Sequence, residues 1–200
     1  MRTLIVIPII HTEQDMGSLL EQTKQTYVTR YGQEKWNEHL KSINEVWIGI
    51  RQMIAALELP YASVRLYQDG LPLCGKETDI VNDVADQGSK NYQLLVELMV
   101  QGAKLMGTED SGLLLQEYQL HQGALSGGKL GHENQQEHSR ELLAQRDRFI
   151  AGQINATLLA GEIGLLFVGM AHSVEPLLDG DILTQHLLPS LRERQVNTKC

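Results

Sequence analysis

The sequence predicts an α/β fold in which a small, mostly parallel sheet is heavily covered by long helices. Two observations lead to this prediction. Short apolar runs, such as residues 4–10 and 165–168, are typical of strands that are buried on both faces. The longer stretches between such runs have apolar residues three and four positions apart, which indicates helices. Strands that alternate with helices pair in parallel through right-handed crossovers.

The chain begins with the strand predicted at residues 4–10 and continues into two helices. The first helix, residues 19–31, is followed by Gly32, a residue typical of the position after a helix end. The second helix, residues 33–59, has apolar residues at alternating steps of four and three along one face. Pro60 follows it and cannot continue a helix, so we expect the helix to stop there.

The middle of the chain adds two strands and two shorter helices. Residues 62–67 are predicted to form a strand, and the glycine- and proline-containing segment 68–72 is typical of a turn. Helices are predicted at residues 77–86 and 90–102. A short strand at residues 103–106 follows the second of them. The arrangement again favours crossovers between parallel strands.

The last part of the chain is predicted to hold two helices, a strand and a closing helix. The helix at residues 113–125 is followed by a glycine-rich break, and residues 133–159 form a second long helix. The strand at 165–168 comes next, and residues 184–194 are predicted to close the chain as a helix. About four strands are therefore visible, and the break is too short to divide residues 1–200 into two domains.

Composition and charge restrict the partners of the protein. The chain has 17 basic and 25 acidic residues and a formal net charge of −8. Nucleic acid and anionic membranes bind clustered Lys and Arg, and the chain has no long basic run, so neither is an expected partner. The expected partner is a small molecule or a peptide. No apolar run approaches the roughly 20 residues that span a bilayer. Two cysteines and no signal-peptide pattern predict a reduced, cytoplasmic protein.

Polar side chains follow each predicted strand. His11 follows the first strand, Asp69 the second, Glu109 the third and His172 the last. The carboxyl ends of parallel strands meet at one edge of a sheet, so we expect these groups to converge there. Taken alone, Asp69 is better explained by turn chemistry, because Asp-Gly pairs are typical of turns. The two histidines together favour a site, with His11, His172 and Asp69 as candidate ligands of a divalent metal ion.

The long helix at residues 133–159 carries an unexpected carboxylate. Asp147 lies on the same apolar stripe as Ile150 and Ile154, and Arg146 and Arg148 flank it. A carboxylate buried alone is costly, so Asp147 needs a partner. Two interpretations remain open: an ion pair with an arginine that ties the helix to the sheet, or a catalytic or ligand-orienting role. Arg146 is expected to point towards the edge that carries His172 and to act on a ligand rather than on stability.

These motifs resemble a superfamily that joins the TraB and Tiki proteins, the erythromycin esterases and the haem-binding ChaN-like proteins. Residues 146–151 are similar to the RDxxMA-type helix segment of that superfamily, and Gly169 to His172 matches its second GxxH. Gly107-Thr108-Glu109 resembles the strand-end glutamate of some members. Two departures are that Pro8 replaces the glycine of the first GxxH and that Asp69 or Gln68 stands where many TraB-like members carry glutamate. The resemblance implies one domain of this fold over residues 1–200.

The resemblance implies more than one chemistry. Tiki-like members are metal-dependent peptidases that use both histidines, erythromycin esterases hydrolyse an ester with histidine activating water, and ChaN-like members bind haem. The residues favour hydrolysis, with His11 or His172 as base, Glu109 as carboxylate and Arg146 as the cation that stabilises an oxyanion. The alternative is a non-catalytic protein that binds a haem-type ligand or regulates another. A homodimer is also expected, through surplus apolar surface on the helix around Val46 and Trp47.

Overall fold

A computed structural model describes residues 1–10, 20–125 and 132–187 and gives this part of the chain one parallel sheet of five strands. In chain order the strands are β1 (Arg2–Ile9), β2 (Val64–Gln68), β3 (Lys104–Met106), β4 (Ile163–Gly169) and β5 (Ile182–His186). Their order across the sheet is β3-β2-β4-β1-β5, and every pairing between them is parallel. The α/β fold class predicted from the sequence is confirmed.

Six helices occur in the described residues, and most begin and end close to their predicted bounds. They are α1 (Leu20–Tyr31), α2 (Gln33–Ala56), α3 (Glu77–Asp86), α4 (Lys90–Val100), α5 (Ser111–Leu125) and α6 (His132–Thr157). Gly32 separates α1 from α2 with a φ of 90°, a conformation that glycine adopts without strain. The predicted break at residues 126–131 lies outside the described residues.

The prediction for the end of the chain is wrong. The sequence predicts a helix over residues 184–194, but Thr184 to His186 belong to β5, a fifth strand that pairs along one side of β1. The pairing continues past the strand, because the Leu187 amide donates to the Val6 carbonyl. Hydrogen bonds to a neighbouring strand have overridden the local helical pattern. The rest of that predicted helix lies outside the described residues.

The two faces of the sheet carry different helices. On one face the core is formed by apolar residues of α2, α3 and α4 packed on alternate residues of the strands. On the other face α6 supplies most of the helical side chains of a second, smaller core, among them Ile150 and Ile154. Because the strands are covered on both faces, their sequences are continuous apolar runs and do not alternate between apolar and polar residues. None of the described helices is long and apolar enough to cross a bilayer.

The strand order creates a crevice at the carboxyl ends of the central strands. β4 lies between β1 and β2. The chain leaves β1 and β2 towards helices of the first face, and it leaves β4 towards Val174 and Leu178, which pack in the core of the second face. Adjacent strands whose connections diverge to opposite faces leave an opening between them, and open α/β sheets hold their ligands there.

The core can be tested with two isoleucines of α2. Ile50 is fully buried in the first core, whereas Ile48 is 49% exposed. We expect Ile50→Ala to lower the free energy of unfolding by about 2–5 kcal/mol, because it leaves a cavity. Ile48→Ala makes the same chemical change on the same helix and should cost at most about 0.5 kcal/mol. Urea unfolding of the two variants compares them, and equal losses would contradict this packing.

Candidate functional site

Five charged side chains meet at the carboxyl edge of the sheet. Asp69, Glu109 and His172 follow β2, β3 and β4, and Arg146 and Asp147 come from neighbouring positions of α6. The backbone holds Asp69 at the strand end, because its amide donates to the Phe167 carbonyl and so extends the ladder between β2 and β4. The predicted convergence of strand-end groups is therefore seen for these three. His11 lies outside the described residues.

Arg146 is the centre of the cluster. The residue is 4% exposed, and its guanidinium makes four hydrogen bonds to carboxylates. Nε and one terminal nitrogen bind the two oxygens of Glu109 at 2.5 and 2.6 Å. The same terminal nitrogen binds Asp69 at 2.7 Å, and the other binds Glu117 of α5. Such a bidentate contact fixes the planes of both groups, so Arg146 ties β2, β3 and α5 to α6.

His172 lies between two carboxylates. Its Nδ1 is 2.6 Å from Oδ1 of Asp147, and its Nε2 is 3.4 Å from Oδ2 of Asp69. The first distance is a short hydrogen bond and the second is the looser contact of an ion pair. Asp147 also accepts the Ser173 amide at 3.0 Å, which fixes the loop that carries the imidazole. Asp147 therefore orients His172 through both the ring and the backbone beside it.

Backbone groups at the strand ends complete the coordination of the carboxylates. Oδ2 of Asp69 accepts the Gly169 amide at 3.0 Å, and Oε1 of Glu109 accepts the Gly70 amide at 2.7 Å. A Cβ atom at position 169 would lie 3.1 Å from the same oxygen of Asp69. The glycine of the GxxH segment thus lets the carboxylate reach the end of β4, which a larger residue would crowd.

Burial and the two neighbouring carboxylates set the charge of His172. Burial disfavours the imidazolium, but the hydrogen bond to Asp147 and the contact with Asp69 outweigh burial and raise the pKa of His172 to about 9. At neutral pH the ring is therefore protonated and donates from Nδ1 to Asp147. A protonated imidazole is a proton donor rather than a base.

The pKa values of the strand-end carboxylates Glu109 and Asp69 shift in opposite directions. Burial raises the pKa of Glu109, and the charge of Asp69 adds to this effect against the opposing pull of Arg146. Burial also favours a higher pKa for Asp69, but the contact with His172 and the charges of His172 and Arg146 outweigh burial and lower the pKa. Opposite shifts in neighbouring acids are the pattern seen where one acid holds a proton and the other stays ionised.

The structure changes the interpretation of the α6 residues. Asp147 is buried, as its place on the apolar stripe predicts, but its partner is His172, so of the two interpretations left open the arginine pair does not hold. Arg146 does point to the edge that carries His172. It is saturated by carboxylates and buried, so the expectation that it is dispensable for stability conflicts with its contacts.

Sequence reasoning missed Glu117. This residue lies on α5 and binds Nη1 of Arg146, whereas Asp69 binds Nη2. One signal in the sequence could have identified it: Glu117 is the one Asp, Glu, Lys or Arg residue within residues 111–125. A single charge on an otherwise uncharged helix indicates a specific partner, because scattered surface charge would not select one position.

The described residues do not form a metal centre. Within residues 1–10, 20–125 and 132–187, no three His, Cys, Asp or Glu side chains are arranged to hold a metal ion. The two described members of the predicted ligand set, His172 and Asp69, face each other and are already engaged by Asp147, Arg146 and the Gly169 amide. The third, His11, lies outside the described residues, so the predicted set stays a prediction.

A cleft of about 520 Å³ lies away from this edge. It is formed between α2, α3 and α4, and its lining includes Trp47, Arg51, Ala85, Lys90 and Glu97. None of the strand-end charges lines it. The candidate site is thus defined by its charged groups rather than by a cavity.

Comparison of the chain with protein-family models, with curated proteins and with solved structures finds no match.

The contacts of Arg146 predict a large effect on stability. Replacing Arg146 by alanine leaves the buried carboxylates of Asp69 and Glu109 without their cation and should destabilise the fold by roughly 3–5 kcal/mol. Arg148→Ala is the matched control, because Arg148 lies on the same helix and its side chain is exposed. This substitution should cost no more than about 0.5 kcal/mol. Thermal or urea unfolding measures both, and a neutral Arg146→Ala would contradict the geometry.

The charge of His172 predicts a pH-dependent stability. Its pKa in the folded protein, about 9, lies above the value of 6.5 for an unperturbed histidine. The stabilisation from its ion pairs is thus complete below about pH 6.5 and is lost as the pH rises through about 9. We expect wild-type stability to fall over this interval by on the order of 2–3 kcal/mol more than that of His172→Gln. Parallel slopes for the two proteins would show that His172 is not charged in the fold.

Proposed function

We propose that the protein hydrolyses an ester or peptide bond in a small molecule or peptide, using the charged cluster at the carboxyl edge of the sheet. The observation that carries the proposal is the state of His172. Asp147 holds its Nδ1 at 2.6 Å, and Nε2 faces Asp69 within the crevice beside β4. A carboxylate that orients a histidine through Nδ1 leaves Nε2 as the reactive nitrogen, as acid–base catalysis of hydrolysis requires.

His172 is assigned the role of general acid. Because its ring is protonated at neutral pH, it can deliver a proton from Nε2 to the leaving group as the scissile bond breaks. In the absence of substrate that proton faces Asp69, whose lowered pKa keeps the carboxylate ionised. Asp69 therefore holds the imidazolium in place, and a substrate atom within reach of Nε2 would compete with Asp69 for the proton.

The general base is assigned to His11 on the sequence argument. β1 lies beside β4 with Ile9 opposite Gly169, so the two strands end side by side at the carboxyl edge of the sheet. His11 follows Ile9 by two residues, and His172 follows Gly169 by three. A base that activates water and an acid that protonates the leaving group together suffice for hydrolysis.

Arg146 and Glu109 are assigned to positioning rather than to contact with substrate. Glu109 is fully buried, and the guanidinium of Arg146 is already bound by three carboxylates. Their function in this proposal is to fix Asp69, which in turn faces His172. The oxyanion role that the sequence assigns to Arg146 would need these contacts to open.

We further propose a cytoplasmic location, in keeping with the two cysteines and the charge of the chain.

The proposal is tested by turnover of a panel of p-nitrophenyl esters and fluorogenic peptides. The wild-type protein should hydrolyse at least one class, and His172→Gln should lower kcat/KM by about 10²–10⁴-fold, because the acid is lost. His186→Gln is the matched control, since that histidine lies on β5, is 42% exposed and pairs with Glu175 at 3.0 Å. Its kcat/KM should equal that of wild type.

A pH profile separates catalysis from folding. If His172 is the acid, the wild-type kcat falls as the pH rises through about 9 while circular dichroism shows that the protein is still folded, whereas a purely structural role would lower activity only as folded protein is lost. Absence of turnover on every ester and peptide, or full activity of folded His172→Gln, would contradict the proposal. A Soret band on adding haem, without turnover, would favour the ligand-binding alternative.

A further inference from the structure

Gln68, the last residue of β2, is a buried amide of which only one end is explained by the fold. The residue is 1% exposed. Its Nε2 donates to the carbonyl of Asp69 at 2.9 Å, whereas its Oε1 has no hydrogen-bond partner among the residues that the structure describes. A buried amide oxygen without a partner lowers stability, so stability alone does not account for a glutamine here. The feature that separates it from an apolar side chain of similar size is the donor Nε2.

The contact between Gln68 and Asp69 replaces a step of the hydrogen-bond ladder between β2 and β4. The Asp69 amide donates to the Phe167 carbonyl at 2.9 Å. In a parallel ladder the next hydrogen bond would run from the Gly169 amide to the Asp69 carbonyl. That amide donates to Oδ2 of Asp69 at 3.0 Å, and the carbonyl accepts Nε2 of Gln68. The carboxylate of Asp69 therefore takes the place that its own carbonyl would have at the end of β4.

This exchange of acceptors determines where the Asp69 carboxylate lies. Oδ2, the oxygen that the Gly169 amide holds, is also the oxygen that lies 3.4 Å from Nε2 of His172. If the Asp69 carbonyl took the Gly169 amide, Oδ2 would lose the donor that holds it beside the imidazole. Gln68 opposes that alternative because it already satisfies the carbonyl, which is buried and needs a donor.

Gln68 is itself fixed from the side of β3. Its amide donates to Oγ1 of Thr108 at 2.9 Å, and this buried hydroxyl donates to the Met106 carbonyl at 3.1 Å. Side chains alternate along a strand, so Gln68 lies on the face of Leu66 and the first core, opposite to the face that α6 covers. Gln68 therefore acts on the charged cluster through the backbone of Asp69 and not by direct contact with a substrate.

We propose that Gln68 is a positioning residue for the acid of the proposed hydrolase: by binding the Asp69 carbonyl it keeps the Asp69 carboxylate at the end of β4, facing Nε2 of His172. The catalytic consequence rests on the proposed function. The structural part, which is the identity of the acceptor for the Gly169 amide, does not. Because Gln68 is buried on the other face of the sheet, its loss should lower kcat and leave KM unchanged.

Nuclear magnetic resonance of the full chain tests the structural part. Couplings across the hydrogen bond of the Gly169 amide, measured on deuterated and isotope-labelled protein, identify its acceptor. In wild type the coupled carbon should be the side-chain carboxyl of Asp69. Gln68→Met has nearly the same length and volume but no donor, so the freed Asp69 carbonyl competes for the Gly169 amide and the carboxyl coupling should be lost. Gln93→Met is the matched control, because Nε2 of Gln93 also donates to a backbone carbonyl, that of Ala85 at 3.2 Å, and it should keep the coupling.

Turnover tests the catalytic part on any ester or peptide that wild type hydrolyses. Gln68→Met should lower kcat by roughly ten- to hundredfold at unchanged KM, the effect of displacing a catalytic group, while circular dichroism shows that it is folded. Gln93→Met should keep the wild-type kcat and KM.

Three results overturn the proposal. The first is a wild-type coupling from Gly169 to the backbone carbonyl carbon of Asp69, a measurement that needs no variant to fold. The others are a Gln68→Met protein that keeps the carboxyl coupling, or one that keeps the wild-type kcat. A wild type that hydrolyses no ester or peptide overturns the hydrolase and with it the catalytic part, and the couplings still decide whether Gln68 positions Asp69.

Discussion

The buried guanidinium of Arg146 is the interaction on which the candidate site depends. It neutralises carboxylates that arrive from three separate elements, at the ends of β2 and β3 and on α5. Burying those carboxylates without a cation would cost several kcal/mol each, so the sheet edge can hold them only because α6 places an arginine there. α6 is itself fixed by the apolar side chains that it buries against β4 and β1. The packing of one helix thus determines the charge state of the whole edge.

The adjacent residue, Asp147, extends this network to His172. Neighbouring positions on α6 point about 100° apart, so one helix turn presents a cation towards Asp69 and an anion towards the imidazole. The result is a chain of alternating charge, from Asp147 through His172 and Asp69 to Arg146 and Glu109. Within it, Asp147 and Asp69 favour the charged form of His172, and Glu109 and Asp69 favour that of Arg146, whereas burial and Asp69 push Glu109 towards its protonated form. The hydrogen bond to Asp147 and the contact with Asp69 keep the proton on His172, so the imidazolium is a donor at neutral pH.

The sequence predicts much of the fold and part of the site. The apolar runs of β1 and β4 and the helical spacing of α2 are local signals, so they predict these elements correctly. β5 has no such signal, because pairing with β1 and not its own pattern makes it a strand. Asp147 was identifiable as a charge on an apolar stripe, but its partner lies 25 residues away and only the crossover brings the two together. The burial of Arg146 depends on three carboxylates from distant segments, which no local spacing reveals.

A double-mutant cycle between Arg146 and Glu109 tests the central claim most directly. Arg146→Met and Glu109→Leu each remove one partner of a buried pair. Each single variant therefore leaves the other side chain buried without that partner. The double variant removes both, and the account predicts that it is more stable than the sum of the single losses by about 1–3 kcal/mol. Free energies of unfolding measured for all four proteins give this coupling. Additive losses, with coupling near zero, would contradict the account, because Arg146 and Glu109 would then not depend on each other.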